Sequence, residues 1–160
     1  MRKLRLYLDS SILGWSLNRG NPSRFAEANL LLQQITDGKF IGAYSWVSVQ
    51  EIDAAPEQIA QKLWQKVEGA KLKRVSVRLK RQAEELAQTY CAKGIVPSDF
   101  ETDALHIAIA TIWKADALVS YNFGHIVNLA TMVAVNEVNR SRNLQEIFLC
   151  QPQEVIISGG

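Results

Sequence analysis

DFETDALHIAIATIWKADALVSYNFGHIVN, residues 99–128, is the stretch that decides the predicted fold. Apolar side chains recur at helical spacing in its first half, at Leu105, Ile109 and Ile112. Ser98 and Glu101 have the spacing of a capping box at the start of that helix. The second half contains the apolar run 115–120, which is typical of a buried parallel strand. A helix leading directly into a buried strand predicts a parallel α/β sheet.

That run ends in polar side chains, at Ser120, Tyr121 and Asn122. The carboxyl ends of parallel strands are where open α/β sheets place their binding and catalytic groups. In the helix before the strand, three polar residues share one strip because they are spaced i, i+4 and i+7: Asp99, Asp103 and His106. We therefore expect chemistry at the carboxyl end of this strand.

The rest of the chain continues the alternation of strands and helices. Further strands are predicted at residues 4–8, 39–44, 72–77 and 146–150, with helical patterns between them. We expect one α/β domain over residues 1–160. Its parallel sheet has the strand order 3-2-1-4-5, numbered along the chain, and helices cover both faces.

Composition sets broad limits on function. The chain has 160 residues, a formal net charge of +2 and a pI of about 8.6, which is compatible with nucleic-acid binding but too weak to argue for it. Cys91 and Cys150 are far apart and have no partners at metal-binding spacing, and the charged start MRKLRLYLDSS forms no signal-peptide core. We expect a reduced cytoplasmic protein with no membrane segment.

Three acids and one asparagine are expected to approach one crevice. Asp9 follows the first strand and Asn122 follows the fourth, which is its neighbour in the predicted order. Glu51 and Asp103 lie in helices that flank that junction. Simpler roles remain open, since Asp9 could cap the next helix. Glu51 could likewise form a capping box with Ser48 or face solvent.

Converging carboxylates repel one another unless a cation lies among them. Oxygen ligands without cysteine or paired histidine favour Mg²⁺ or Mn²⁺ over zinc. Such an ion binds phosphate oxygens and activates water, which suits phosphodiester hydrolysis. The sequence contains no Ser-His-Asp or Cys-His arrangement, and no Gly-rich phosphate loop follows the first strand.

A basic segment, KLKRVSVRLKR, lies at residues 71–81. Lys73, Arg74 and Arg78 in this segment are candidate contacts to substrate phosphates. A solvated basic surface, or contact with an acidic partner, explains the same pattern.

Residues 103–110 and 118–128 resemble the PIN-domain ribonucleases, whose pattern is roughly D-A-L-H-I-A-x-A and then L-V-[ST]-W-N-x-x-H-I-x-N. Here the two segments are DALHIAIA and LVSYNFGHIVN. The resemblance implies that Asp9, Glu51 and Asp103 are the family's metal-binding acids. It also implies that Ser10 is the small hydroxyl residue that follows the first acid. Asn122 stands where many relatives have a fourth Asp, so this sequence has one negative charge fewer.

Much of that family consists of ribonuclease toxins that a cognate antitoxin holds in check, usually as dimers. The resemblance therefore implies a Mg²⁺- or Mn²⁺-dependent endoribonuclease with RNA as substrate, an antitoxin partner and a homodimer. A second hypothesis is a catalytically weakened PIN module that binds RNA or protein. The intact set of Asp9, Glu51 and Asp103 favours the ribonuclease over it, whereas Asn122 keeps it open. A third is a nucleotide- or small-molecule-binding α/β protein, which the missing Gly-rich loop disfavours.

Overall fold

A parallel five-stranded sheet forms the centre of the computed structural model, which describes residues 2–157. The order within those residues is β3-β2-β1-β4-β5, as predicted. The strands are β1 Leu4–Leu8, β2 Phe40–Tyr44, β3 Lys73–Arg74, β4 Ala117–Val119 and β5 Phe148–Cys150. Every pair is parallel, and β1 pairs with both β2 and β4. The carboxyl ends of β1 and β4 are therefore neighbours.

Helices connect the strands. They are α1 Ser10–Trp15, α2 Pro22–Thr36, α3 Trp46–Asp53, α4 Glu57–Gly69, α5 Lys80–Ala92, α6 Glu101–Ile112 and α7 Leu129–Ser141. Short 3₁₀ turns lie at Val77–Leu79, Ser98–Phe100 and Pro152–Glu154. No helix between residues 2 and 157 is both long enough and apolar enough to cross a membrane.

The sheet has a separate apolar core on each face. Tyr7 of β1 packs with the buried side chains of α5, α6 and α7. Leu6 and Leu8, which point to the opposite face because side chains alternate along a strand, pack with α1, α2 and α4. Burial on both faces explains why β1, β2 and β4 are short runs rich in apolar residues, whereas the edge strand β3 is exposed.

The predicted capping box at Ser98 and Glu101 is wrong. Ser98–Phe100 forms a 3₁₀ turn, and α6 begins at Glu101 with Phe100 at its N-cap and no side-chain cap. Pro97 favours an extended conformation, so the chain enters α6 through this turn. The third strand is also shorter than predicted. β3 ends at Arg74 because the Ser76 hydroxyl accepts the backbone N–H of Arg78 and starts another 3₁₀ turn.

Candidate active site

Asp9 lies at the carboxyl end of β1 and is 5% exposed. Its Oδ1 accepts hydrogen bonds from the backbone N–H of Ser11 at 3.2 Å and from the Ser11 hydroxyl at 2.5 Å. Its Oδ2 accepts the hydroxyl of Ser120, which follows β4, at 2.6 Å. Asp9 does cap α1, as the simpler interpretation proposed. The same carboxylate also joins the ends of the two central strands.

Burial raises the pKa of Asp9 above its ordinary value, because a desolvated carboxylate is unfavourable. The charge of His106 and the hydroxyls of Ser11 and Ser120 oppose that rise, whereas the charge of Glu51 adds to it. The Ser10 hydroxyl, next to Asp9 in the chain, donates to Oε2 of Glu51, so the two carboxylates lie near each other. A cation between them would relieve both the desolvation and the repulsion.

Glu51 lies in α3 with its side chain 37% exposed. Its Oε2 accepts the Ser10 hydroxyl at 2.7 Å, and its Oε1 lies 2.8 Å from Nε2 of His106. Burial by itself would raise the pKa of Glu51. The hydrogen bond and charge of His106, with the Ser10 hydroxyl, outweigh burial and lower it. Glu51 is therefore held as a carboxylate.

The alternative capping box between Ser48 and Glu51 does not form. Ser45 is the N-cap of α3, and its hydroxyl accepts the backbone N–H of Val47 at 3.2 Å. The Ser48 hydroxyl accepts the backbone N–H of Ser45 in return, at 3.3 Å. Glu51 is therefore not used to cap α3 and can contact Ser10 and His106 instead.

A buried chain of side chains supports His106 from behind. Nδ1 of His106 lies 2.7 Å from the Tyr7 hydroxyl, which lies 2.7 Å from the Ser45 hydroxyl. Because a carboxylate only accepts, Nε2 of His106 donates to Glu51 in the neutral tautomer and in the imidazolium alike. The sequence placed His106 on one strip of α6 with Asp103, and the structure shows it buried and hydrogen-bonded. The structure adds that one of its partners is a candidate catalytic acid.

Asp103, on α6, pairs with a second histidine. Its Oδ2 lies 3.1 Å from Nδ1 of His125, whose ring contacts that of Phe100 in a tilted arrangement with a centroid distance of 3.9 Å. The backbone N–H of His125 donates to Oδ1 of Asn122 at 3.1 Å. Asp103 is thus connected to Asn122 through the loop that follows β4.

Ser120 connects this loop to Asp9. Its hydroxyl donates to Asp9 and accepts the backbone N–H of Asn122 at 2.9 Å. Sequence reasoning named Ser120 only as a polar residue at the end of a predicted strand, and it did not single out Ser11 or Tyr7 as parts of the site. The sequence signal for Ser120 was its position at the end of the predicted fourth strand, and that for Ser11 was its position two residues after Asp9. Tyr7 gave no signal, because an aromatic residue in a strand is ordinary.

The acids have the chemistry of a Mg²⁺ or Mn²⁺ site but do not form a complete set of ligands. No group of three His, Cys, Asp or Glu residues in the described part of the chain is placed to hold one metal ion. Mg²⁺ commonly binds through one or two carboxylates and completes its coordination with water and substrate phosphate. The pair Asp9 and Glu51 fits that mode.

The basic candidates lie at another part of the sheet. Lys73 and Arg74 are the exposed residues of β3, and Arg78 is exposed in the following turn. Arg74 is opposite Tyr44, at the carboxyl end of β2. Among residues 2–157, no hydrogen bond or ion pair joins these side chains to the acids. These three basic residues therefore lie at the β3 edge of the sheet, outside the candidate active site.

Comparison with solved structures supports the fold. The chain is similar to one in the crystal structure of VapBC2 from Rickettsia felis bound to a DNA fragment from their promoter. The likeness covers 92% of this chain and 98% of that chain, with a TM-score of 0.57 and 16% sequence identity. It agrees with the predicted PIN-like α/β fold, and at this identity it concerns the fold alone. No protein-family model and no curated protein matches the sequence.

Proposed function

We propose that the protein is a Mg²⁺- or Mn²⁺-dependent endoribonuclease. The observation that carries this proposal is a hydrogen bond that brings two acids together. Ser10, which follows Asp9 at the carboxyl end of β1, donates its hydroxyl to Glu51 of α3 at 2.7 Å. A divalent cation bound there would offset the charge of the scissile phosphate and acidify the attacking water. RNA as the substrate follows from the PIN resemblance of residues 103–110 and 118–128.

Each side chain has a role in this proposal. Asp9 and Glu51 supply the ligand oxygens, and the Ser10, Ser11 and Ser120 hydroxyls fix the orientation of these carboxylates. His106 holds Glu51 ionised. Asp103 is the third acid, on α6, where it pairs with His125. Asn122 uses its carbonyl oxygen to bind the loop, so its amide N–H₂ is the group offered to a phosphate oxygen.

The toxin of a toxin–antitoxin pair is the biological role that we propose for this activity. The solved structure with a similar fold holds VapBC2 on DNA from their promoter. The sequence resemblance implies an antitoxin partner and a homodimer for this chain as well. Growth arrest on expression, absent in a variant that cannot cleave RNA, would support this role.

Substitution of Asp103 by Asn tests the nuclease proposal. The change keeps the shape of the side chain and removes one charge, so we expect a folded protein that no longer cleaves RNA. The control is Asp99→Asn, which changes an exposed aspartate four positions earlier, in the 3₁₀ turn before α6. Full cleavage by Asp103→Asn, or cleavage by the parent protein in excess EDTA, would contradict the proposal.

A catalytically weakened RNA-binding module is the second candidate function. It is favoured by the absence of a three-residue metal group within residues 2–157, together with Asn122 in place of a fourth acid. Binding of RNA without cleavage at any Mn²⁺ concentration would establish this alternative.

A further inference from the structure

Arg24 and three aromatic rings form a cluster beside the acids, here called the Arg24 cluster. Its rings belong to Trp15, Tyr121 and Phe123. The guanidinium carbon of Arg24 lies 5.0 Å, 5.1 Å and 5.5 Å from their respective centroids. The ring of Tyr121 meets those of Trp15 and Phe123 edge to face, each at 6.5 Å. These distances are typical of cation–π and edge-to-face contacts.

The Arg24 cluster is attached directly to the candidate active site. Trp15 ends α1, the helix that Asp9 caps, and Tyr121 and Phe123 flank Asn122 in the loop after β4. The backbone N–H of Tyr121 donates to the Ser11 hydroxyl at 3.0 Å. The same hydroxyl donates to Asp9. One serine therefore fixes the rings relative to the first acid.

The charge of Arg24 is in an unfavourable place for helix stability. Arg24 lies in the first turn of α2, where the helix dipole favours anions and disfavours cations. Within the described residues, its guanidinium forms no ion pair with a carboxylate. The nearby Glu27 instead accepts the Tyr121 hydroxyl at 2.9 Å. The rings thus position a guanidinium that forms no direct ion pair in this part of the chain, and a phosphate could bind to it.

Phe123 supplies an accessible ring beside this charge. Its side chain is 42% exposed, although its edge-to-face partner Tyr121 is buried. An exposed aromatic ring next to an arginine that has no direct ion pair is a combination that suits binding of single-stranded nucleic acid. The ring stacks on a base, and the guanidinium pairs with the backbone phosphate.

We propose that the Arg24 cluster is a nucleotide-binding subsite for single-stranded RNA, adjoining the acids. Arg24 pairs with a phosphate, and Phe123 stacks on the neighbouring base, which places the next phosphodiester at Asp9 and Asn122. The identity of the ligand as RNA rests on the proposed function. Bases in a duplex are already stacked on one another, so this subsite selects single strands.

Binding of fluorescein-labelled RNA, measured by anisotropy in EDTA so that no cleavage occurs, tests this subsite. Phe123→Ala should weaken binding of a single-stranded oligonucleotide about tenfold, and should affect a duplex of the same sequence much less. Arg24→Gln should also weaken binding, and it should reduce the slope of log affinity against log salt concentration by about 0.7. Thermal melting of each variant establishes that it is folded.

Two matched controls should bind RNA like the parent. Phe148→Ala removes a phenylalanine that is 67% exposed on β5. Arg19→Gln removes an exposed arginine that also lies over an aromatic ring, that of Phe25 at 5.2 Å. If both controls keep the parental RNA affinity, loss of a surface ring or of a surface charge is not enough to weaken binding. Weaker binding by the cluster variants is then specific to the Arg24 cluster.

Parental RNA affinity in both cluster variants would overturn the proposal, and so would a parent protein without affinity for single-stranded RNA. Loss of binding to a protein partner in Phe123→Ala, with RNA binding unchanged, would assign the cluster to a protein interface instead. The outcome is separable from the nuclease test. A parent that binds through Arg24 and Phe123 but cleaves nothing supports the subsite and refutes the proposed function.

Discussion

Nε2 of His106 lies 2.8 Å from Oε1 of Glu51, and this contact joins α6 to α3 across the candidate active site. His106 is buried, whereas Glu51 is partly exposed. The imidazole is fixed from behind by Tyr7 and Ser45. The orientation of the acid that faces solvent is therefore determined by a side chain in the core.

Replacing His106 with Ala should raise the pKa of Glu51. Burial favours the neutral carboxyl, and the hydrogen bond and charge of His106 are the main effects that outweigh burial in the parent. The loss of buried hydrogen bonds and the resulting cavity should also cost about 2 kcal/mol of unfolding free energy. Titration of the Glu51 carboxyl by NMR and urea denaturation measure the two effects. The control is His125→Ala, which leaves the His106–Glu51 hydrogen bond intact. An unchanged pKa of Glu51 in His106→Ala would refute the conclusion that His106 keeps Glu51 ionised.

Replacing Asp9 with Asn should stabilise the metal-free protein at pH 7, on the order of 1 kcal/mol, as is common when a functional residue that strains the fold is removed. Burial raises the pKa of Asp9 in the folded protein above its pKa in the unfolded chain. The parent protein therefore loses stability as the pH rises from the unfolded-state pKa through the folded-state pKa. The gain from Asn should therefore disappear below about pH 4, where Asp9 is protonated in both states. Urea unfolding in EDTA at several pH values measures it.

The matched control for this stability test is Asp53→Asn. Asp53 is exposed at the end of α3, and its substitution should change the unfolding free energy by less than about 0.5 kcal/mol. The opposite result, an Asp9→Asn protein that is less stable than the parent at pH 7, would contradict this prediction. It would mean that the hydrogen bonds of the Asp9 carboxylate with Ser11 and Ser120 stabilise the fold by more than its desolvation destabilises it.

Asn122→Asp should tighten the binding of Mn²⁺ in the absence of substrate, by about 1–2 kcal/mol if the new charge contacts the ion. One carboxylate oxygen can keep the hydrogen bond from the backbone of His125, and the other adds a negative charge where the parent has an amide. Asn122→Ala should keep the parental metal affinity but lose cleavage rate. Calorimetric titration compares the three proteins. If the Asp variant binds Mn²⁺ no more tightly, then Asn122 does not face the ion.

Neutralising Lys73 and Arg74 together, as Lys73→Gln with Arg74→Gln, should reduce the salt dependence of RNA binding. The slope should fall by about 0.7 for each RNA phosphate that the variant no longer neutralises. Both side chains are exposed on the edge strand β3, close to the carboxyl end of β2. The double variant Lys62→Gln with Lys93→Gln removes two other exposed charges and should leave the slope unchanged. Equal slopes in all three proteins would establish the basic segment as a solvated surface.

The order and type of the elements followed from local patterns. The apolar runs indicated the strands, and their alternation with helices predicted a parallel sheet whose order the structure confirms. Element ends were less well predicted, as at Ser98 and at β3. There the choice between a strand, a 3₁₀ turn and a helix depends on single hydrogen bonds to the backbone and on the pairing of an edge strand.

The sequence also indicated Asp9, Glu51, Asp103 and Asn122, because acids at the ends of strands and in the flanking helices can be recognised along the chain. It could not determine what each of them contacts. Asp9 and Ser120 are 111 positions apart, and Tyr7 and His106 are 99 apart. The Arg24 cluster likewise combines the first turn of α2 with the loop after β4. These contacts exist only once β1 and β4 pair, because sheet pairing brings together side chains whose separation in sequence leaves no local signal.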